Sequence, residues 1–122
     1  MGDKLTTMSG ALAMIFEFYT HCIDTLERKN AGYADVENSH DVLANFRQEA
    51  ARHGISKLQL SNIYRGKHDR SWDTFVRKGS TSDKPWRILK DRINYALLEY
   101  LICLEEGAFT VDEVMNDTGE DA

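Results

Sequence analysis

The sequence predicts an all-α protein, folded as a compact bundle of about four helices. Apolar residues recur every three or four positions over most of its 122 residues, which is the period of an amphipathic helix. No two segments alternate apolar and polar residues in the way that a pair of strands would. The chain has a single proline, Pro85, and its 42% hydrophobic and 29% charged residues are typical of a folded globular domain.

The first predicted helix begins near Leu5 and ends where Asn30 and Gly32 interrupt the pattern. Its apolar residues fall on one stripe, at alternating intervals of three and four positions: Leu5, Met8, Leu12, Ile15, Tyr19, Cys22 and Leu26, widened by Phe16 and Ile23. This apolar surface exceeds what three partner helices of this size cover. The sequence therefore also predicts a homo-oligomer, in the simplest case a dimer.

The second predicted helix begins with Ser39 as its N-cap and ends at Gly54, which takes the C′ position. Its expected core residues are Leu43, Phe46 and Ala50. The short helix they define has an apolar face of about three turns.

The third predicted helix begins with a capping box formed by Ser56 and Gln59. Its apolar residues are Leu60, Ile63 and Tyr64. We expect it to continue past Gly66 as far as Val76, because the residues after the glycine keep the helical period.

The fourth predicted helix has the clearest pattern in the chain. Ser82 is a suitable N-cap, Pro85 is tolerated in the first turn, and Gly107 ends the helix. One face is apolar throughout: Trp86, Leu89, Ile93, Leu97, Tyr100 and Leu104. Thr110 begins one further short turn.

We expect one helical domain, residues 1–107, followed by a short extension with an acidic tail, residues 108–122. No apolar run approaches the roughly 18 residues of a membrane span, and no export signal precedes the first helix. Cys22 and Cys103 lie inside apolar helical patterns, as buried thiols do in a reducing compartment. These observations predict a cytoplasmic protein with no membrane partner.

Positive charge is concentrated in one window of an acidic chain. The net charge is −5, but residues 65–92 contain nine Lys and Arg against four Asp, a local charge of +5 that leaves −10 for the rest. Such segregation predicts an anionic partner. Trp72, Phe75 and Trp86 within the window offer stacking surfaces for a nucleic acid. A nucleic acid is nevertheless not the expected partner, because no binding motif is present and the rest of the chain repels it.

A compact polyphosphate suits the mixed charge of this window better. Lys67 and Arg70 lie three residues apart on one helix face, where both can donate charge-assisted hydrogen bonds to phosphate oxygens. Asp83 and Asp91 fall two turns apart near the start of the fourth helix, and carboxylates so spaced can hold a Mg²⁺ ion. A structural alternative stays open, since Asp83 suits a helix N-terminus and Asp91 has cations beside it.

Three segments resemble sequence elements of one protein family. ERKNAGYAD (residues 27–35) resembles its KNxDYG element, GKHDR (66–70) its DKxNR element, and SDKPWRILKDRINYALL (82–98) its closing ESxxDTLxDLANYAxL helix. This is the nucleotide-modification-associated domain 1 family of small helical phage proteins. It is similar in outline to the all-α nucleoside triphosphate pyrophosphohydrolases, the MazG and dUTPase-like group. The three elements agree with the family in order and approximate spacing.

The resemblance implies a nucleotide or deoxynucleotide ligand with Mg²⁺, and cleavage between its α and β phosphates if the chain is active. The implied binding residues are Lys29, Asn30 and Tyr33 at the loop end of a cleft, Lys67 and Arg70 on a basic arm, and Asn94 and Tyr95, with the metal ligands Asp83 and Asp91, on the fourth helix.

The chain departs from the family pattern in ways that favour binding over hydrolysis. Ala34 stands where a glycine is expected, and Arg87 stands where the helix should carry its first aspartate, four residues before Asp91. The acidic EExxE cluster of the pyrophosphohydrolases is absent, since the second helix offers only Asp41 and Glu49. Fewer carboxylates weaken metal binding, and the added arginine strengthens direct contact with an anion, so Arg87 joins the predicted ligand-binding residues.

The sequence therefore predicts a phage-type nucleotide-binding protein on a pyrophosphohydrolase-like scaffold, with weak or no hydrolysis and no assigned catalytic residue. Two alternatives stay open. One is an active Mg²⁺-dependent nucleoside triphosphate pyrophosphohydrolase. The other is a small phage protein that binds and inhibits a host enzyme or nuclease through its acidic faces. The predicted location is the cytoplasm, that of the host cell if the chain is phage-encoded.

Overall fold

The computed structural model describes residues 5–33 and 42–119, with the side chains of residues 5–29 and 42–119. Nearly all of these residues are helical: α1 (Met8–Tyr33), α2 (Ala44–His53), α3 (Lys57–Lys78), α4 (Pro85–Glu106) and the short α5 (Val111–Asn116). No strand is present in this part of the chain. The predicted all-α bundle of about four helices is confirmed, with α5 as the further short turn.

Side-chain caps begin two of the helices, as the sequence predicts. At α3 the Gln59 backbone N–H donates to Ser56 Oγ (3.0 Å), and the Ser56 N–H donates to Gln59 Oε1 (2.8 Å). Thr110 and Glu113 form a second capping box at α5. These reciprocal bonds satisfy backbone donors that have no partner inside the first helical turn.

The first helix ends later than the sequence predicts. α1 continues through Asn30 and Gly32 to Tyr33, so the predicted stop is wrong. A single glycine costs a helix only about 1 kcal/mol, which the rest of a long helix can offset. Ser39, the predicted N-cap of the second helix, lies outside the described residues.

Backbone conformation, rather than side-chain capping, begins and ends α4. Lys84 is at the N-cap instead of the predicted Ser82, it makes no side-chain cap, and Pro85 takes the first helical position. Gly107 has a φ of 74°, the left-handed conformation that glycine adopts without steric cost. Its predicted role is confirmed, and Gly54 after α2 has the same conformation (φ 67°).

The chain divides into two compact units, Met1–Ala44 and Asn45–Ala122. The first unit contains α1, and the second contains almost all of α2 and the whole of α3, α4 and α5. The predicted boundary between residues 107 and 108 stays a prediction. In the described segments, no helix combines the length and the apolar character that crossing a membrane requires.

Most of the apolar stripe predicted for the first helix is exposed. Seven of its nine side chains are 40–76% exposed: Leu5, Met8, Leu12, Ile15, Phe16, Tyr19 and Ile23. Leu26 is half-buried, and of the stripe only Cys22 is fully buried. α1 buries a neighbouring face instead, which includes Cys22 and Thr25.

The core of the second unit is formed by α2, α3 and α4. Its buried apolar side chains are Phe46, Ala50, Leu60, Ile88, Leu98 and Ile102. Phe46, Ala50 and Leu60 confirm the prediction, but Ile63 is exposed. The apolar face predicted for α4 is not its most buried face: Trp86 is 54% exposed, and the other members of the face are half-buried. The helix buries a different face, the one that carries Ile88, Leu98 and Ile102.

Candidate functional site

Ion pairs set the register of α3 and α4, which pack as an antiparallel hairpin. Arg65 donates two hydrogen bonds to the Glu99 carboxylate (2.6 and 2.9 Å), and Arg92 Nε donates to Asp69 Oδ1 (3.1 Å). The Arg92 guanidinium also lies over the Trp72 ring, 5.5 Å from its centroid. Two cations of the basic window are thus used to hold the hairpin together.

Asp91 and Tyr95, two of the predicted site residues, lie at the seam between α3 and α4. His68 Nδ1 is 3.5 Å from Asp91 Oδ2, and the His68 and Tyr95 ring centroids are 5.5 Å apart. The Tyr95 ring also lies 6.3 Å from that of Tyr64. Sequence reasoning missed His68 as a site neighbour, although its place about one turn after Tyr64 puts it on the same helix face.

The two predicted magnesium ligands have different surroundings. Asp83 is exposed in the loop before α4, whereas Asp91 is half-buried beside His68. Within the described ranges, no group of three or more His, Cys, Asp and Glu side chains is close enough to hold a metal ion. Mg²⁺ bound to a phosphorylated ligand often uses only one or two protein carboxylates. Magnesium therefore stays a prediction, and it depends on Asp91.

Arg87 and Asn94 lie on the same face of α4 as Glu105. At the C-terminal end of this face the Glu105 carboxylate pairs with Arg47 of α2 and with Lys57 of α3. Arg87 precedes Glu105 by about five helical turns, and Asn94 precedes it by about three. The three α4 residues therefore line up along one face, on which Arg87 is exposed and Asn94 is buried.

Lys67 lies on the same side of the hairpin. On α3 this side is marked by Tyr64, whose ring centroid is 6.3 Å from that of Phe46 in α2. Lys67 follows Tyr64 by almost one turn. The register of the inter-helix ion pairs puts Lys67 within about one turn of Asn94 along the hairpin axis. The structure thus brings one predicted α3 residue to the side that carries Asn94.

Arg70 is the other cation of the predicted basic arm. It lies about 120° around α3 from Tyr64, whereas Lys67 lies about 60° from Tyr64, so Arg70 is farther from the side that carries Asn94. The predicted basic arm of Lys67 and Arg70 stays a prediction, in which Lys67 is the cation nearer to Asn94.

Asn94 is the most unusual residue of the group. It is only 6% exposed, yet neither its amide nitrogen nor its amide oxygen has a hydrogen-bond partner among the described residues. The large majority of buried polar side chains are hydrogen-bonded, and an unsatisfied one costs about 1–3 kcal/mol. The Asn94 amide therefore has unused capacity to donate and to accept hydrogen bonds, on two atoms that are both buried.

Six cations of the basic window have no carboxylate oxygen within 4.0 Å in the described part of the chain: Lys67, Arg70, Arg77, Lys78, Lys84 and Arg87. Arg77 and Lys78 lie in the last turn of α3, where they complement the helix dipole. Lys84 lies over the Trp86 ring. Arg87 is different, because the first turn of a helix disfavours a cation. Lys67, Arg70 and Arg87 have no such structural role.

The remaining predicted residues belong to the first unit. Lys29 is an exposed residue of α1. Asn30 and Tyr33 are helical, which corrects the prediction that these residues form a loop. The side chains of Asn30 and Tyr33 lie outside the described part of the structure.

The group formed by Lys67, Arg87 and Asn94 offers two positive charges and one amide. Such a set can bind a ligand that has both an anionic group, for the cations, and a neutral polar group, for the amide. None of the family models, curated proteins or solved structures compared with the chain matches it. The assignment of the candidate site therefore rests on the chemistry and the positions of these residues alone.

Proposed function

We propose that the protein binds a phosphorylated nucleotide on the α2 side of the α3–α4 hairpin, with weak or no hydrolysis. The observation that carries the proposal is the buried Asn94 amide, which has no hydrogen-bond partner among the described residues. Lys67, which makes no ion pair in the same part of the chain, lies within about one turn of it along the hairpin axis. Arg87, two turns before Asn94 on the same face, adds a second cation. The amide suits the polar edge of a base or sugar, and the two cations suit phosphate oxygens.

The resemblance of three sequence segments to a phage nucleotide family supports a nucleotide over other phosphorylated ligands. Arg87 supports binding without turnover, because it replaces a carboxylate that would help to hold a metal ion. Together with nucleotide binding we propose a cytoplasmic location, since nucleotides are made and used in the cytoplasm.

Ultrafiltration of the protein with a panel of ribo- and deoxynucleotides and Mg²⁺ tests the proposal. We expect one nucleotide to be retained intact with the protein. Monophosphate and pyrophosphate in the filtrate would instead identify the Mg²⁺-dependent pyrophosphohydrolase. Retention of no nucleotide would contradict the proposal and favour a macromolecular partner.

Lys67→Ala and Arg87→Ala are each expected to weaken nucleotide binding by about 1–3 kcal/mol, a factor of about 5 to 150 in Kd, because each removes a charge-assisted bond to phosphate. Equilibrium dialysis with the retained nucleotide measures the effect. Arg52→Ala is the control, since it removes an equal charge from an exposed position whose partner, Glu49, is 3.7 Å away on the same helix. Equal affinity for all four proteins would show that the ligand lies elsewhere.

Asn94→Leu is expected to separate binding from stability. Leucine has a similar size but no amide, so the nucleotide loses its polar contact while the cost of an unpartnered buried group, about 1–3 kcal/mol, disappears. We expect weaker nucleotide binding together with an unchanged or higher free energy of unfolding, measured by urea titration. A variant that binds the nucleotide as the wild type does would remove Asn94 from the site.

A further inference from the structure

The exposed apolar face of α1 is large enough to be an interface. Seven side chains are 40–76% exposed: Leu5 just before the helix, and Met8, Leu12, Ile15, Phe16, Tyr19 and Ile23 within it. At the roughly 200 Å² that side chains of this size expose when free, they present about 800 Å² together, which is the area that each partner contributes to a standard interface. Monomeric proteins seldom leave a continuous apolar patch of this size uncovered.

The spacing along this face is that of a helix that pairs with another helix. Within α1, Met8, Leu12, Ile15 and Tyr19 are separated by four, three and four residues, the a and d positions of a heptad repeat, and Leu5 precedes the helix. Such a seam is complementary to a second copy of itself, because knobs from one helix enter holes of the other. Two identical seams related by a two-fold axis form a closed dimer.

The charges of the helix also favour a second copy as the occupant. Residues 5–16 carry no charged side chain, so two copies bring no like charges together at the seam. A membrane surface is a poorer partner, because helices that lie on it carry Lys and Arg on their polar face. Among the described side chains of α1, three exposed acidic residues, Glu17, Asp24 and Glu27, outnumber two exposed basic ones, Arg28 and Lys29. Both cations lie more than one helical turn beyond Ile23, the last residue of the apolar face.

We propose that two copies of this chain associate through the apolar face of α1, as a two-fold helix pair centred near Leu12 and Ile15. These two residues lie at the middle of the exposed stretch from Leu5 to Ile23. If the two-fold axis passes through this point, perpendicular to two antiparallel helices, the apolar faces of the two copies cover each other along their whole length. The interface is independent of the nucleotide proposal, since it uses no residue of the candidate site.

Light scattering of the full chain at micromolar concentration tests this interface. We expect a mass of about 28 kDa, twice the 14.0 kDa of one chain. The mass should not change in high salt, because salt screens charges and the seam has none. The variant Leu12→Glu/Ile15→Glu should have the mass of one chain, because four carboxylates would meet at the symmetry axis. Ala13→Glu, which adds one glutamate at an exposed position about 100° around the helix from Leu12, should remain a dimer.

A charge-reversed partner makes the test specific. Leu12→Lys/Ile15→Lys should also be monomeric, and a mixture of the glutamate and lysine variants should recover the dimer. Circular dichroism verifies that each variant keeps its helices. A monomeric wild type, a dimer lost in high salt, a dimeric glutamate variant or a mixture that stays monomeric would each overturn the proposal.

Discussion

Replacing Ile102 by alanine is expected to lower the free energy of unfolding by about 2–5 kcal/mol. Ile102 is 0% exposed and lies on the buried face of α4, together with Ile88 and Leu98. Alanine removes three buried carbon atoms, and the close-packed surroundings collapse only partly into the space they leave. A loss of this size is a large part of the stability of a typical domain.

Urea unfolding followed by helical circular dichroism measures the loss, and a melting temperature lower by roughly 10 °C should accompany it. Ile63→Ala is the matched control, because Ile63 is the same residue type on α3 but 59% exposed. Its effect should stay within about 0.5 kcal/mol. Similar losses for the two variants would mean that the buried face of the hairpin is assigned incorrectly.

Helix ends that depend on local chemistry could be predicted from the sequence. The capping box of Ser56 and Gln59 forms as expected, because its two bonds join residues three apart. The same holds for Gly107, whose positive φ depends on its lack of a side chain. Ser82 failed as an N-cap because Pro85, with its fixed φ, already begins the helix.

The buried faces of the helices could not be predicted as well. α4 is apolar around much of its circumference, so periodicity supports both the predicted stripe that begins at Trp86 and the observed face that carries Ile88 and Ile102. Packing against α3 decides between them. On α1 the strongest periodic stripe is the exposed one, because periodicity identifies an apolar surface without indicating whether its partner is in the same chain.

The candidate site could be predicted only in part, for a related reason. The resemblance assigned Asp91 and Asn94 to the site and Arg87 as a departure from the family, and these residues lie four and three positions apart along α4. Which side of the hairpin carries Lys67 depends on inter-helix pairs such as Arg65 with Glu99, 34 residues apart in the sequence. Contacts between residues so far apart in the chain produce no short-range sequence pattern from which they could be predicted.

Glu105 joins three helices, and its ionisation should make the stability of the second unit depend on pH. Its carboxylate accepts hydrogen bonds from Arg47 of α2 and Lys57 of α3. The hydrogen bond from Arg47, followed by that from Lys57, lowers the pKa of Glu105 from 4.5 to about 2, against the opposing effect of burial. Because the folded pKa lies below the unfolded one, the stabilisation is complete above about pH 4.5 and is lost as the pH falls through about 2.

Glu105→Gln is therefore expected to be less stable than the wild type at pH 6, by a difference that shrinks as the pH falls from 4.5 towards 2. Glutamine keeps the shape of the side chain, but it has no charge to hold Arg47 and Lys57, so the variant should lack this part of the pH dependence. Urea unfolding at several pH values measures the difference. Glu17→Gln is the control, because Glu17 is an exposed carboxylate of α1 with no cation within 4.0 Å in the described residues, and it should follow the wild type throughout. A Glu105→Gln deficit that stays constant down to pH 2 would show that Glu105 acts through its shape and neutral hydrogen bonds, not through its charge.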